Sequence, residues 1–391
     1  MSIIVMPAQL LSMAVVFGLS FAIRFADVVS AIALGRTPRA NLDPYPGRPR
    51  VVFSTNRTFK ITVFSDLHFG ENPWDDWGPE QDVNSLQLMR TVLADEKPDY
   101  VVLNGDLITG ENTFRENSTT LIDEIMAPIN EVGVKFSSTH GNHDNQANIT
   151  HLEEIQRELL VAPNSYTRLA PPGVGGKEGP GNYWVPVYTK DTDPTPSLIL
   201  WFFDSRGGFA EGSGTTPVPD WVDVSVADWI ESETEVMNLV WGPAEERSAI
   251  AFVHIPPHTI QALQSGLNSI RNPGLNADDL GSGSTQATTD SADNGKDDPF
   301  WSTLNANVKN LHAVISGHDH GNEWCVREPT QNVIFCFDKH SGYGGYSGVG
   351  WGHGVRNIVV QSPDASSALD TWIRLEDGET RARVVLDQNY H

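Results

Sequence analysis

The sequence predicts an α/β fold built around a parallel core. Strand and helix signals alternate between residues 59 and 160. Apolar runs bounded by Gly or polar residues, such as YVVLN and AIAFV, read as buried strands. The later part of the chain carries further strand-like segments with short, hairpin-like connections, so mixed sheets are expected rather than an all-parallel one.

In chain order, Phe59 to Ser65 reads as the first strand. Asp82 to Glu96 has helical spacing, with Val83, Leu86, Met89, Val92 and Leu93 on one face and Pro98 as the stop. A strand over Tyr100 to Leu103, a helix over Thr119 to Asn130, a strand over Val134 to Ser138 and a helix over His151 to Leu160 complete a βαβαβα run. Further strands are expected at Tyr183 to Tyr188, Ser197 to Phe203, Ala249 to Val253, Ala313 to Ile315, Val333 to Phe337, Ile358 to Val360, Thr371 to Leu375 and Ala382 to Leu386. Ser265 to Asp298 is acidic and rich in Ser, Thr, Gly and Asn. It reads as a flexible surface insertion, either a lid over a site or a loop without a role.

Residues 1 to 31 contain an apolar stretch from Ile3 to Ile23 with no basic residue before Arg24. The stretch is long enough for a signal anchor that reaches the membrane. Val29-Ser30-Ala31 offers a cleavage site for a signal peptide, so both readings stand. Either routes the chain into the secretory pathway, to be secreted, vacuolar or membrane-anchored. Residues 32 to 56 are rich in Pro and Arg and read as a linker or extended arm, leaving 57 to 391 as the globular domain. The sequons at Asn56, Asn117 and Asn148 suit a glycoprotein. Cys325 and Cys336 flank a short turn, where they form either a disulfide staple or two buried thiols.

The net charge of -24 argues against a nucleic-acid partner. It also means that a site for phosphate must supply its own positive charge.

The chemistry is concentrated in five short motifs, most of them following an apolar run. Asp66-x-His68 follows KITVFS, Gly105-Asp106 follows YVVLN, and Gly141-Asn142-His143-Asp144 follows VKFSSTH. His254 follows AIAFV, and Gly317-His318-Asp319-His320 follows LHAVIS. Asp, His and Asn bind borderline metals such as Zn, Fe and Mn. Ligands of α/β sheets sit just beyond the carboxyl ends of strands. Five strand ends therefore converge on one crevice. The two-residue spacing of Asp66-x-His68 and of His318-x-His320 places each pair on one side of an extended segment.

From about Lys60 to Tyr346 this set resembles the calcineurin-like metallophosphoesterases, and its wording (FSDLHFGE, LNGDLITGE, THGNHD, SGHDHGNEW) is most similar to the branch related to purple acid phosphatases. The resemblance implies a four-layer α/β/β/α sandwich of two mixed sheets. It implies two divalent or trivalent ions (Fe, Mn or Zn) and hydrolysis of phosphate esters by hydroxide held at the metals. A phosphomonoesterase of acid-phosphatase type is favoured. A phosphodiesterase and a non-catalytic scaffold of the same fold are the alternatives.

By that resemblance Asp66, His68 and His320 hold one metal, Asp106 bridges, and Asn142, His254 and His318 hold the other. His143 steadies the phosphate and protonates the leaving oxygen, while Asp144 accepts the other ring N–H of His143, closes a local turn, or does both. Thr109 departs from the family pattern, because purple acid phosphatases carry a metal-binding tyrosine three residues after the bridging aspartate. Without that phenolate no purple colour is expected. The substrate rim is expected to draw on Tyr343, Tyr346 and His258, with His258 alternatively opening the next helix. The oligomeric state is not legible.

Overall fold

The computed structural model describes residues 42–391. The chain divides after residue 43, and Pro44–His391 is one unit. The apolar stretch at residues 3 to 23 lies outside the described residues. Among the described residues no helix is long and apolar enough to cross a membrane.

The strands are β1 (Val51–Val52), β2 (Phe59–Phe64), β3 (Tyr100–Asn104), β4 (Lys135–Thr139), β5 (Tyr183–Tyr188), β6 (Leu198–Phe203), β7 (Ser248–Val253), β8 (Leu311–Ser316), β9 (Cys325–Glu328), β10 (Val333–Phe337), β11 (Gly354–Val360), β12 (Leu369–Leu375) and β13 (Thr380–Leu386). The α-helices are α1 (Trp77–Glu96), α2 (Thr120–Val132), α3 (His151–Val161), α4 (Ser225–Trp241) and α5 (Asp298–Asn307). One sheet runs β1-β5-β6-β7-β8-β10-β9 and the other β13-β12-β11-β2-β3-β4. Both are mixed. β2, β3 and β4 are mutually parallel, as are β6, β7 and β8, while β11 and β12 pair antiparallel.

Side-chain alternation explains the four layers. In β3, Tyr100 and Val102 enter the core between the sheets, whereas Val101 and Leu103 face Leu88, Met89, Ile122 and Ile125 of α1 and α2. In β6, Leu198, Leu200 and Phe202 point inward, while Trp201 packs edge-on to Trp229 of α4 at 5.7 Å. Phe203 meets Phe300 of α5 at 4.9 Å. The layers are therefore helices, sheet, sheet, helices, as the family resemblance implies.

Two expectations about chain organisation change. The stretch from residue 44 to 53 is not a free linker: Tyr45, Val51 and Phe53 are buried in the inter-sheet core, and β1 pairs with β5. Its Pro- and Arg-rich wording hides three core side chains. The segment over 265 to 298 is pinned rather than loose. Gln286 is fully buried, donating from its amide group to the Ile255 carbonyl (2.7 Å) and accepting from Val222 N (3.0 Å). Asn272 Nδ2 donates to the Cys325 carbonyl at 2.8 Å. Polar composition implied mobility, but these amides satisfy backbone groups of neighbouring strand ends instead. Helices α4 and α5 are not among the expected elements.

Cys325 and Cys336 sit opposite each other in the β9–β10 pair and are bonded. Asn56 and Asn117 are exposed, whereas the Asn148 side-chain nitrogen donates to the Thr113 carbonyl at 2.9 Å.

Candidate metal centre

The seven ligand-type residues follow the carboxyl ends of β2, β3, β4, β7 and β8, three strands from one sheet and two from the other. The ends of β2 and β3 stay coupled past the strands. Asp66 N, His68 N and Phe69 N each donate at 3.0 Å to the carbonyls of Gly105, Asp106 and Leu107. That ladder sets Asp66, His68 and Asp106 side by side. Asp66 Oδ1 then accepts from His318 N at 3.0 Å, and Asp106 Oδ1 from His143 N at 2.8 Å. The two carboxylates thus fasten the opposite sheet and the β4 loop to the same point.

The backbone here is not extended as the two-residue spacing assumes. Asp66, His68, Asp106 and His318 have φ of 53°, 51°, 48° and 78°. Left-handed backbone costs a non-glycine residue on the order of 1–3 kcal/mol, and such outliers collect at functional sites. One consequence is that His318 and His320 diverge. His320 joins Asp66 and His68 in one group whose ligand atoms lie within 4.8 Å, and His318 joins Asp106 and His254 in a second. Asn142 lies at the same strand end, and its buried Oδ1 has no hydrogen-bond partner. Gly141 is required here: a Cβ would lie 2.6 Å from His254 Nε2.

The histidines show how the site is prepared. His254 Nδ1 lies 2.8 Å from the Asn104 carbonyl, His318 Nε2 2.8 Å from the Gly283 carbonyl, and His320 Nδ1 2.6 Å from the Tyr346 carbonyl. A carbonyl only accepts, so in each ring that nitrogen carries the proton and the other is left as the donor atom for a metal. His68 Nδ1 is held by Thr109 Oγ1 at 3.0 Å, and its Nε2 faces His320 Nε2 at 3.2 Å. Thr109 thus orients a histidine where the purple enzymes have a phenolate. Tyr346, stacked on His320 at 4.1 Å, points its hydroxyl at Asp278 Oδ2 (3.0 Å) and His320 N (2.9 Å).

Charge balance supports cation binding. Asp66 and Asp106 are both buried. Burial raises the Asp66 carboxyl to about 6, with Asp106 adding to the rise. For His254, burial opposes protonation, yet Asp106, 3.0 Å from Nε2, and Asp66 push it up to about 10. A site that draws protons this strongly onto a buried ring is one that metal cations would neutralise. The donor set fits two borderline cations.

His143 lines the cavity beside these groups, half-buried, with its ring 4.9 Å from that of His68. Its partner corrects the expected one. Asp144 does not reach it: Asp144 Oδ1 accepts from Ile108 N (2.9 Å) and Oδ2 from Gly141 N (2.8 Å), which shapes the turn. Glu111 Oε1 lies 2.6 Å from His143 Nδ1 instead. Burial alone would lower the His143 pKa, but Asp106 and the Glu111 bond raise it to about 9.

Sequence reasoning also missed His151. Buried at the start of α3, it binds Asp204 through Nδ1 (3.0 Å) and the Gly141 carbonyl through Nε2 (2.8 Å), steadying the Asn142 loop from behind. Nothing in its local sequence signals that role. His140, just before Gly141, is fully buried, 3.9 Å from Glu154.

Of the expected rim residues, Tyr346 lines the cavity of about 560 Å3 together with Glu71, Glu111, Asn112, Ser282, Ser284 and Asp319. Tyr343 and His258 do not. Tyr343 is packed against the core under α1 and stacks on His353 at 3.9 Å. His258 opens a 3-10 helix, His258–Gly266, and its Nδ1 is held by Asp297 Oδ1 at 2.6 Å.

The calcineurin-like phosphoesterase family matches residues 59–322. A relative in Arabidopsis thaliana, named probable inactive purple acid phosphatase 14, is 25% identical over 357 residues, covering 85% of this chain and 84% of that protein. Phosphatase DCR2 of Saccharomyces cerevisiae is 28% identical over 299 residues, covering 74% of this chain and 49% of its own length. A dimetal phosphatase from Danio rerio shares the fold, with a TM-score of 0.51 at 13% identity over 86% of this chain and all of the other.

Proposed function

Because this chain belongs to the calcineurin-like phosphoesterase family, we propose that it is a metal-dependent hydrolase of phosphate monoesters. One observation carries the reading. Every histidine of the cluster has one ring nitrogen fixed by an outside partner, three of them by carbonyls, so the inner nitrogens converge as metal donors. Asp66, His68 and His320 would hold one cation and Asn142, His254 and His318 the other, with Asp106 shared. Bound cations would supply positive charge to the phosphoryl oxygens and lower the pKa of a water molecule.

The chain's own residues do the rest. His143 gives its proton to the leaving oxygen, and Glu111 keeps that proton on the ring near neutral pH. Glu111 also fixes the tautomer, leaving Nε2 for the substrate. Thr109 and the three carbonyls hold the ligand rings in place. Asp144 and His151 shape and brace the loop that carries Asn142 and His143.

A scaffold reading draws support from the name of the Arabidopsis relative. Against it stands the intact ligand set with His143 poised beside it. Turnover of monoesters and diesters by metal-analysed protein separates the readings. Faster turnover of monoesters supports the proposal, a diester preference redirects it, and no turnover of either by fully loaded protein leaves the scaffold.

We further propose the secretory pathway as the destination. The Cys325–Cys336 bond suits an oxidising compartment, and Asn56 and Asn117 are exposed for glycan transfer. A shift in mass on glycosidase treatment of the native protein checks this.

A further inference from the structure

The cavity has a chemical polarity that the ligand cluster does not explain. Its inner end is where the cations would sit. Its outer wall contains Glu71, Glu111 and Asp319, the amide of Asn112 and the hydroxyls of Ser282 and Ser284, and among the described residues no Lys or Arg lines it. Glu111 is matched by His143 at 2.6 Å. Glu71 accepts only a backbone bond, from Gly345 N. Asp319 is 6% exposed, too buried to meet a charge on the substrate. Beside these lies Tyr346, 48% exposed and backed by His320.

On the reading of the site as a phosphatase centre, we propose that its substrates are phosphate esters whose alcohol carries a positive charge, such as a primary or quaternary ammonium group. The phosphoryl group takes the cationic end. The ammonium then meets Glu71, with the tyrosine ring as a cation–π surface. An anionic leaving group, such as a carboxylate or a second phosphate, would face the Glu71 carboxylate with no Lys or Arg beside it among the described lining residues, in a chain of net charge -24. A neutral polyol could use Ser282, Ser284 and Asn112 but would leave the Glu71 carboxylate unmatched.

The test isolates charge from shape. Choline phosphate and 3,3-dimethylbutyl phosphate differ only in nitrogen versus carbon at the head. For the metal-loaded protein, kcat/KM for choline phosphate should exceed that for the neutral isostere about tenfold or more, a difference of about 1.4 kcal/mol. Glycerate phosphate should be the poorest of the three. Glu71→Gln keeps the acceptor for Gly345 N while removing the charge, and should narrow the choline-to-isostere ratio severalfold. Equal kcat/KM for the two isosteres, or a ratio unaffected by Glu71→Gln, overturns the proposal even when both are hydrolysed and the phosphatase reading stands. Should 4-nitrophenyl phosphate not be hydrolysed either, that reading fails, and the same pair compared by calorimetric Kd still decides the inference: equal affinities overturn it.

Discussion

The inner cluster and the outer wall of the cavity were built by different means. Each inner ligand sits within a few residues of a strand end, where a sheet dictates its place: Asp66 after β2, Asp106 after β3, His254 directly after β7. The wall comes from loops distant in sequence, with Glu71, Glu111, Ser282 and Tyr346 drawn together. The cluster tolerates left-handed backbone at four ligands because hydrogen bonds over-determine it. The wall carries charge with few partners. A metal centre therefore has little latitude for change, whereas selectivity can be altered by single surface substitutions.

That contrast is broken most severely at the shared carboxylate. Asp106→Ala should abolish retention of both metals and lower turnover by more than about 10³-fold, the upper range for removing one preorganised electrostatic group. Asn142→Ala removes a neutral donor and should retain at least one ion. Equal metal content in the two variants, by element analysis, would mean that Asp106 is not shared.

One step outward, His143→Ala should keep the metals yet cut kcat for alkyl esters by about 10²–10⁴-fold. The loss should shrink for nitrophenyl esters, whose leaving oxygen needs little protonation. An equal loss on both would make His143 a phosphate-positioning group.

Thr109→Val removes the hydroxyl that orients His68. Losing such a supporting contact commonly costs about 10–100-fold in metal affinity. Unchanged affinity in competition with a chelator would show that the Thr109 contact does not set the ring.

The smallest effect contrasts Glu111 with Asp144. Glu111 raises the His143 pKa, and the proton donor is the protonated ring, so activity falls as pH rises through that pKa. Glu111→Gln lowers the pKa and should move the alkaline limb of kcat to lower pH. Asp144→Asn, whose charge adds least to that rise, should move the limb less and mainly destabilise the fold, by about 1–3 kcal/mol for each backbone donor left unmet. A limb that moves only in Asp144→Asn would restore the expected pairing.

These two regions also mark how far the sequence could be read. Apolar runs located the strands, and the strand ends located Asp66, His68, Asp106, Asn142, His254, His318 and His320. Those readings rest on local wording. Glu111 escaped because its partnership with His143 crosses 32 positions of chain and depends on how the β3 loop folds back. Asp144 was given that partnership on family pattern, but two backbone N–H groups claim its oxygens. His258 and Tyr343 looked like rim residues by proximity to motifs, yet Asp297 and the α1 core hold them elsewhere. The segment over 265 to 298 looked mobile by composition, but Gln286 and Gly283 anchor it to strand ends that no local signal reveals.

The central claim is that this ligand cluster is a working metal centre. The most direct test is element analysis of the purified chain, with monoester turnover followed before chelation, after chelation and after restoring the metal. About two transition-metal ions per chain, turnover lost with the metal and recovered on its return, is the predicted result. Full turnover by a chain shown to hold no metal would contradict the account.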